Sequence, residues 1–327
     1  MMGFFRYLKT SQGLTSILVV LFFILLPSFS SSFIIYLVSY SFIFGIFALA
    51  YDLFYGYTGL VSFGHSMFIG VAAYSVGIVS TTVFKIPNPV ILFVTAITVG
   101  AFLGLFVGYF CTFTRGIYVA LVTFAFAQIF WLLVMVDPGG ITYGENGIVG
   151  IRPPPLHIGG FILNLYSGTG LYYLILPIFI VSYLIIRVIV NSQIGDIFKG
   201  IKQNEERLLS LGYNTRQYKI VVFMLSGAFS AVPGVLIAFL DNCITPSLVE
   251  WHVGAEILLI TILGGPGTLI GPVIASFLVT FSKFYISSWI GPGNWLYLLG
   301  GLYVVVIMFL RGGIFNMRIF NFLKQSK

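Results

Sequence analysis

Charged side chains are scarce: only 8% of the 327 residues are Asp, Glu, Lys or Arg, against about 25% in a soluble domain. Nine acidic and sixteen basic residues cannot coat a water-facing surface of this size, which excludes an ordinary soluble globule. Cysteine is limited to Cys111 and Cys243, which excludes a disulfide framework and offers no metal-ligand spacing. No metal-spaced histidines, serine-histidine-acid order or carboxylate pair is evident. A G-x-x-x-x-G-K-[ST] phosphate loop is missing too; the nearest glycine cluster, Gly264-Gly265-Pro266-Gly267-Thr268, is apolar and lacks the lysine that holds phosphates. The chain is therefore expected to have no catalytic residues, no metal and no cofactor of its own, and not to hydrolyse ATP by that route.

What is present is apolar. Hydrophobic residues make up 59% of the chain and the mean hydropathy is +1.06, so the solvent for most of it is lipid. A spanning helix needs about 20 mostly apolar residues. Windows at 14–29, 33–51, 90–113, 117–136, 171–191, 219–240 and 295–310 meet that need or come close to it. Two more regions, 57–80 and 254–288, are apolar but broken by glycine, proline and isolated polar groups, as discontinuous helices lining a cavity would be. The second reads as two passages meeting near Gly264. The expected architecture is thus an all-α, polytopic transmembrane bundle in one domain over 1–327, with about ten passages including broken or re-entrant helices, and both termini on one side.

Lysine and arginine test that topology, because cytoplasmic loops carry their excess. Thirteen of the sixteen fall on one side: Arg6, Lys9, Arg115, Arg187, Lys199, Lys202, Arg207, Arg216, Lys219, Arg311, Arg318, Lys324 and Lys327. Lys85, Arg152 and Lys283 fall on the other. The net charge of +7 is therefore a set of topology signals between apolar runs and not a nucleic-acid patch. The first apolar run, after Arg6 and Lys9 and before Pro27 to Ser32, also has the form of a secretory signal, although a retained first helix is the simpler reading.

Two loops stand out. The outer one, about 137–170, carries turn-forming Pro138-Gly139-Gly140, Gly144-Glu145-Asn146-Gly147 and Pro153-Pro154-Pro155. In the inner one, about 191–219, Ile194, Ile197, Phe198, Ile201 and Leu208 lie at helical spacing, with Lys199, Lys202, Glu206 and Arg207 largely off that face. The pattern predicts a short amphipathic helix, followed by Gly212 as a C-terminal cap. Two readings stand for it: an interfacial helix on lipid headgroups, or a docking surface for a cytoplasmic partner.

Gly56-Tyr57-Thr58-Gly59-Leu60-Val61-Ser62-Phe63-Gly64-His65, followed by Phe68, Gly70 and Ala73-Tyr74, resembles the signature of branched-chain amino acid ABC transporter permeases. Further blocks recur in order. Thr142 to Ile151 is similar to the family's outer loop and Asn204 to Lys219 to its coupling loop. Glu256 to Leu259, Leu263-Gly264-Gly265, Gly267-Thr268 and Gly271-Pro272 resemble its glycine-rich late segment, and Phe309 to Ile314 its ending. The coupling loop departs from the general importer pattern, with Arg207 and Leu208 where that pattern has alanines.

The resemblance implies a permease subunit in a prokaryotic inner membrane, importing leucine, isoleucine, valine or related compounds by alternating access, with cytoplasmic termini. Other members carry urea, short amides or other amino acids. It also implies partners: a second, related permease, two cytoplasmic ATP-hydrolysing subunits that bind ATP and Mg, and an extracytoplasmic substrate-binding protein. Glu205, Glu206, Leu209, Gly212 and Tyr213 are then expected to couple to the ATPases, and Ser62, His65, Gly264, Gly265 and Thr268 to line the path.

Single residues keep competing roles. Ser62, His65 and Ser66 lie near the start of a helical stretch, where free backbone donors suit a solute carboxylate; His65 either lines the path or hydrogen-bonds a neighbouring helix. Asp52 is expected at the inner boundary within reach of water. Glu256 either stays hydrated or pairs with Lys283. A short echo links Gly59-x-x-Ser62-x-Gly64 with Gly264-x-x-Gly267-Thr268, as duplicated halves would. Three rivals are a secondary transporter, an intramembrane enzyme and a channel or scaffold. The first needs ion-coupling carboxylates in mid-membrane, of which the chain offers few, and all three lack the ordered motif match.

Overall fold

The computed structural model describes residues 11–85, 88–151, 153, 155–158 and 161–291, with single positions at 294, 297, 300, 301, 304, 308 and 313 beyond them. The span expected at 295–310, most of the closing block 309–314, and Arg6, Lys9, Arg152 and the cations of the tail lie outside the described residues.

Ten helices account for most of what is described: α1 (Ser11–Phe29), α2 (Ser32–Tyr51), α3 (Ser66–Gly77), α4 (Pro89–Cys111), α5 (Ile117–Val136), α6 (Gly168–Val190), α7 (Gln193–Ser210), α8 (Thr215–Asp241), α9 (Trp251–Gly264) and α10 (Ile270–Ile290). The chain is a helical membrane bundle. Six stretches among the described residues are long and apolar enough to cross a bilayer: Ser32–Gly56, Pro89–Cys111, Ile117–Val136, Gly168–Val190, Thr215–Asp241 and Ile270–Trp289.

Burial separates centre from rim. In the most apolar window of Ser32–Gly56, 78% of residues are buried, and in that of Thr215–Asp241 67%, against 28–33% in the other four. The helices α2 and α8 are therefore the axis, and α4, α5, α6 and α10 leave much of their surface uncovered by this chain. Lipid is as apolar as leucine, so close backbone approach has to supply the contact energy. Gly100 and Gly104 of α4 face Gly227 of α8, where a Cβ on any of the three would strike the opposite backbone. The first helix is held differently. Pro27 cannot donate to the Phe23 carbonyl one turn earlier, and the Tyr172 hydroxyl of α6 donates to that carbonyl at 2.6 Å.

Both regions expected to be broken are broken. After α2, a single π-turn at Asp52–Gly56 leads into an irregular segment and then the 12-residue α3, extended by a second π-turn at Ile78–Thr82. The 14-residue α9 rises only about 21 Å at 1.5 Å per residue, short of a hydrocarbon core of about 30 Å. It ends at Gly264, and α10 starts six residues later.

Among the described residues, sheet is confined to the loop between α5 and α6 and the two residues that pair with it. In it, β1 (Ile148–Val149), β2 (Leu156–Ile158) and β3 (Phe161–Leu163) precede α6; β4 (Cys243–Ile244), just after α8, pairs antiparallel with β1, and β2 pairs with β3. Asp137 begins this loop in the left-handed conformation. Its carboxylate accepts the backbone N–H groups of Ile141, Thr142 and Tyr143.

Candidate functional site

At the end of α2, the carboxylate of Asp52 accepts the backbone N–H groups of Gly267 at 2.7 Å and Leu269 at 3.1 Å. Those two donors are free because the chain has left α9 and not yet wound into α10. Gly265 and Gly267 have positive φ, as does Leu269, a conformation a branched side chain adopts only under constraint. Thr268 closes the turn, its hydroxyl donating to the Gly265 carbonyl and accepting the Gly271 N–H. Asp52 is fully buried, which corrects its expected contact with water: the bonds that hold its charge come from backbone 215 residues away.

Glycine makes this junction possible. A Cβ on Gly56 would strike the Asp52 carboxylate and the Gly267 nitrogen, and one on Gly264 would strike Gly271 and Pro272. Gly313 packs against Gly265, so the one described residue of the closing block meets the same turn. Gly264, Gly265 and Thr268 thus form a junction packed against the π-turn.

The segment between α6 and α8 reaches the same place. The helix α7 is interrupted at Asn204, whose backbone is extended and whose side chain caps the following turns by accepting the Arg207 N–H at 3.0 Å. One amphipathic helix was expected; two short ones form, because an asparagine cap satisfies a helix start that continued winding would not require. Gly200 leaves room for Leu208 to fold back over the first helix. Phe198 and Ile201 face the bundle, while Ile194, expected on the same face, is exposed. Gly212, at positive φ, ends the second helix, with the Tyr213 N–H donating to the Leu208 carbonyl and the Gly212 N–H to that of Leu209, a Schellman pattern.

From the first of these helices Lys202 donates to the Gly56 carbonyl at 2.6 Å. Glu205 turns inward, accepting from the Thr215 hydroxyl at 2.9 Å and from the Lys219 ammonium at 2.7 Å. Burial opposes its charge, but the Lys219 hydrogen bond and positive charge, with the Thr215 hydroxyl, outweigh that and hold the carboxyl below its ordinary value. Glu206, Leu209, Gly212 and Tyr213 remain exposed. Of the five residues expected to couple to a partner, Glu205 therefore anchors the segment to its own chain and the other four form its outer face.

The segment between the π-turn and α3 carries Ser62 and His65, both fully buried. Tyr51 donates to the Ser62 carbonyl at 2.8 Å. His65 lies edge-on to Tyr51 and Phe68 and beside Phe54, with Nε2 2.8 Å from the Ser226 hydroxyl of α8. Ser226 in turn donates to the Ala50 carbonyl, so its oxygen accepts, and His65 is the tautomer with the proton on Nε2. Its Nδ1 and the hydroxyls of Ser62, Ser66 and Ser230 are buried and have no hydrogen-bond partner among the described residues. Ser226 carries no local signal in the sequence, being one of two serines within an apolar span.

The family described as "Branched-chain amino acid transport system / permease component" matches residues 33–308. This chain belongs to that permease family. Among its relatives are the high-affinity branched-chain amino acid transport system permease proteins LivM of Escherichia coli K12 and Salmonella typhimurium. The first is 24% identical over 80% of this chain and 64% of the relative, the second 25% identical over 67% and 55%. The permease chain thus spans less than two thirds of the length of either. No solved structure matches it.

Within that family assignment, the motif blocks converge in space. Gly56 of the first, Lys202 just before the coupling block, and Gly264 to Thr268 of the late block meet at one junction. The weak echo between Gly59-x-x-Ser62-x-Gly64 and Gly264-x-x-Gly267-Thr268 falls at the two chain breaks, each following an apolar helix. Among the described residues no group of three or more His, Cys, Asp or Glu is placed to hold a metal.

Proposed function

We propose that this permease is the membrane subunit of an ATP-driven importer that moves leucine, isoleucine or valine by alternating access. Its partners are a second, related permease, two cytoplasmic ATPases that bind ATP and Mg, and an extracytoplasmic binding protein. The chain itself catalyses no reaction. Both termini face the cytoplasm, as does the segment 191–219.

The observation that carries this reading is the Lys202 to Gly56 hydrogen bond. It ties a segment with an exposed outer face directly to the break between α2 and α3, which is tied through Asp52 to the break between α9 and α10. A push on Glu206, Leu209, Gly212 and Tyr213 therefore acts on both breaks together. Rearrangement there uncovers Ser62, His65, Gly264, Gly265 and Thr268 to the solute. The partnerless hydroxyls of Ser62 and Ser66 and the His65 Nδ1 support that role, because a buried polar atom without a partner costs about 1–3 kcal/mol and gains a bond when a polar solute arrives.

The test is uptake of labelled leucine and labelled urea in cells lacking only this chain, with and without its restoration. Leucine uptake lost and restored is the expected result; loss of urea uptake alone would change the substrate, and no defect in either would count against the importer reading. Glu206→Arg should abolish ATP-driven uptake while the chain stays inserted, and normal uptake by that variant would remove the coupling face.

A further inference from the structure

At the end of the bundle away from α7, a cavity of about 190 Å³ opens between the start of α2, the end of α8, the start of α9 and the end of α10. Tyr40 and Phe44, stacked with ring centroids 4.8 Å apart, form one wall; Ile237, Ile244, Leu248 and Val253 form much of the rest. Charges of both signs face this space. Glu256 is buried and receives Lys283 at 3.0 and 3.2 Å, and the Lys283 ammonium lies 5.9 Å from the Phe44 ring centre. Asp241 stands on the opposite helix. It accepts the Tyr36 hydroxyl at 2.9 Å, and it has no salt bridge to a cation among the described residues.

We infer that this cavity is a solute site for a small aliphatic zwitterion, with Asp241 receiving the ammonium, Lys283 the carboxylate, and Ile237, Ile244 and Val253 the side chain. The inference rests on the importer reading above and gives it an entry site, distinct from Ser62, His65 and the Gly264–Thr268 turn. Charge supports it. Glu256 and Lys283 compensate one another, which leaves Asp241 as a negative pole with spare acceptor capacity, since a carboxylate offers about four lone-pair sites and the Tyr36 hydroxyl fills one. Lys283 is held by Glu256 and Phe44, so its ammonium is positioned at the cavity wall although its charge is shared with Glu256. A neutral amide or urea has no group that needs either pole.

Size agrees. A cavity of about 150 Å³ holds a benzene-sized molecule, so this one suits a solute of about eight non-hydrogen atoms, the size of free valine. The lining mixes these aromatic and aliphatic side chains with Asp241, Thr245, Ser247, His252, Glu256 and Lys283, and convergent polar groups are what fixes orientation in a small-molecule site.

The experiment is uptake of labelled leucine and labelled alanine by cells in which the full transport complex carries the variant chain, with membrane level measured alongside. Val253→Phe narrows the cavity and should lower the leucine-to-alanine ratio about tenfold, the usual discrimination by one or two methylenes in an apolar pocket. Asp241→Asn should lower uptake of both at least tenfold, with Asp241→Glu recovering most of it. An unchanged ratio in Val253→Phe, equal loss of both solutes there, or wild-type uptake by Asp241→Asn would overturn the assignment. If Val253→Phe does not reach the membrane, Val253→Ala decides the matter with labelled phenylalanine added as a third solute: the phenylalanine-to-leucine ratio should rise, and no rise would overturn the site. Failure of the wild-type complex to accumulate any amino acid would overturn the importer reading itself, which is a different result from active wild type with indifferent variants.

Discussion

At one end of the bundle the buried Asp52 carboxylate is held by two backbone N–H groups; at the other, the buried Glu256 carboxylate is held by the Lys283 side chain. The difference lies in what each arrangement can do next. Backbone donors are fixed by the turn that presents them, so Asp52 locks the break between α9 and α10 to the end of α2, and moving one moves the other. A lysine on four rotatable carbons can share its charge with a second anion without any helix moving. The first arrangement suits transmission of force and the second suits exchange of a ligand.

The strongest way to break this contrast is to remove the fixed end. Asp52→Ala leaves the buried Leu269 and part-buried Gly267 N–H groups without their acceptor and deletes two hydrogen bonds to a carboxylate, each worth about 1.5–3 kcal/mol. Thermal unfolding of the solubilised chain should fall by the equivalent of about 3–6 kcal/mol, with no recovery from any single change at Lys202. Unfolding at the wild-type temperature would show that the two breaks are not tied through this carboxylate.

At the other end, Glu256→Gln takes the carboxylate away from the Lys283 ammonium, and breaking a buried pair by removing one partner costs about 3–5 kcal/mol. The sharper expectation concerns the double variant. Because two side chains satisfy each other, Glu256→Gln with Lys283→Met should recover much of the lost stability, whereas transport should stay low. A double variant less stable than the single would mean that the pair is embedded in a wider network.

Much of this contrast was hidden in the sequence for a definite reason. Apolar runs of 19 or more residues reveal themselves locally, and so did the breaks, because Gly56, Gly59, Gly264, Gly265 and Gly267 are turn formers within otherwise apolar stretches. Partners distant in the chain leave no local trace. Asp52 reads as an aspartate at the end of a span until Gly267 and Leu269 are brought to it, and His65 stays ambiguous until Ser226, 161 residues away, supplies its hydrogen bond. Glu256 and Lys283 are 27 residues apart on adjoining passages, close enough that their pairing was one of two readings. The cavity beside them escaped notice because Asp241 looks like the polar stop of an apolar helix. The kink at Asn204 was equally silent: apolar residues keep their helical spacing across it.

A smaller effect is expected where the segment between α6 and α8 meets the junction. Lys202→Met removes the bond to the Gly56 carbonyl but leaves Glu205, Thr215 and Lys219 to hold the segment. The chain should insert and unfold as the wild type does, within about 1 kcal/mol, while ATP-driven uptake falls severalfold and Lys202→Arg recovers part of it. Uptake unchanged in Lys202→Met would place force transmission elsewhere, most directly on the Asp52 link alone.

The smallest expected effect is a pH dependence confined to the same segment. Lys219 and Thr215 hold the Glu205 carboxyl below its ordinary value of 4.5, so the unfolded segment binds a proton more readily than the folded one. The Glu205 contribution is therefore complete above pH 4.5 and is lost as pH falls through the depressed value. Glu205 is partly exposed, and solvent screening limits the pair to at most about 1 kcal/mol, too little to unfold a membrane bundle. It is enough to change local opening. Amide exchange across 204–215, with the intrinsic pH dependence of exchange subtracted, should lose protection on acidification in the wild type and show a flat, lower protection in Glu205→Gln. Equal pH dependence in both would show that Glu205 does not anchor the segment. The link from the coupling face to the helix breaks would then rest on Lys202 alone.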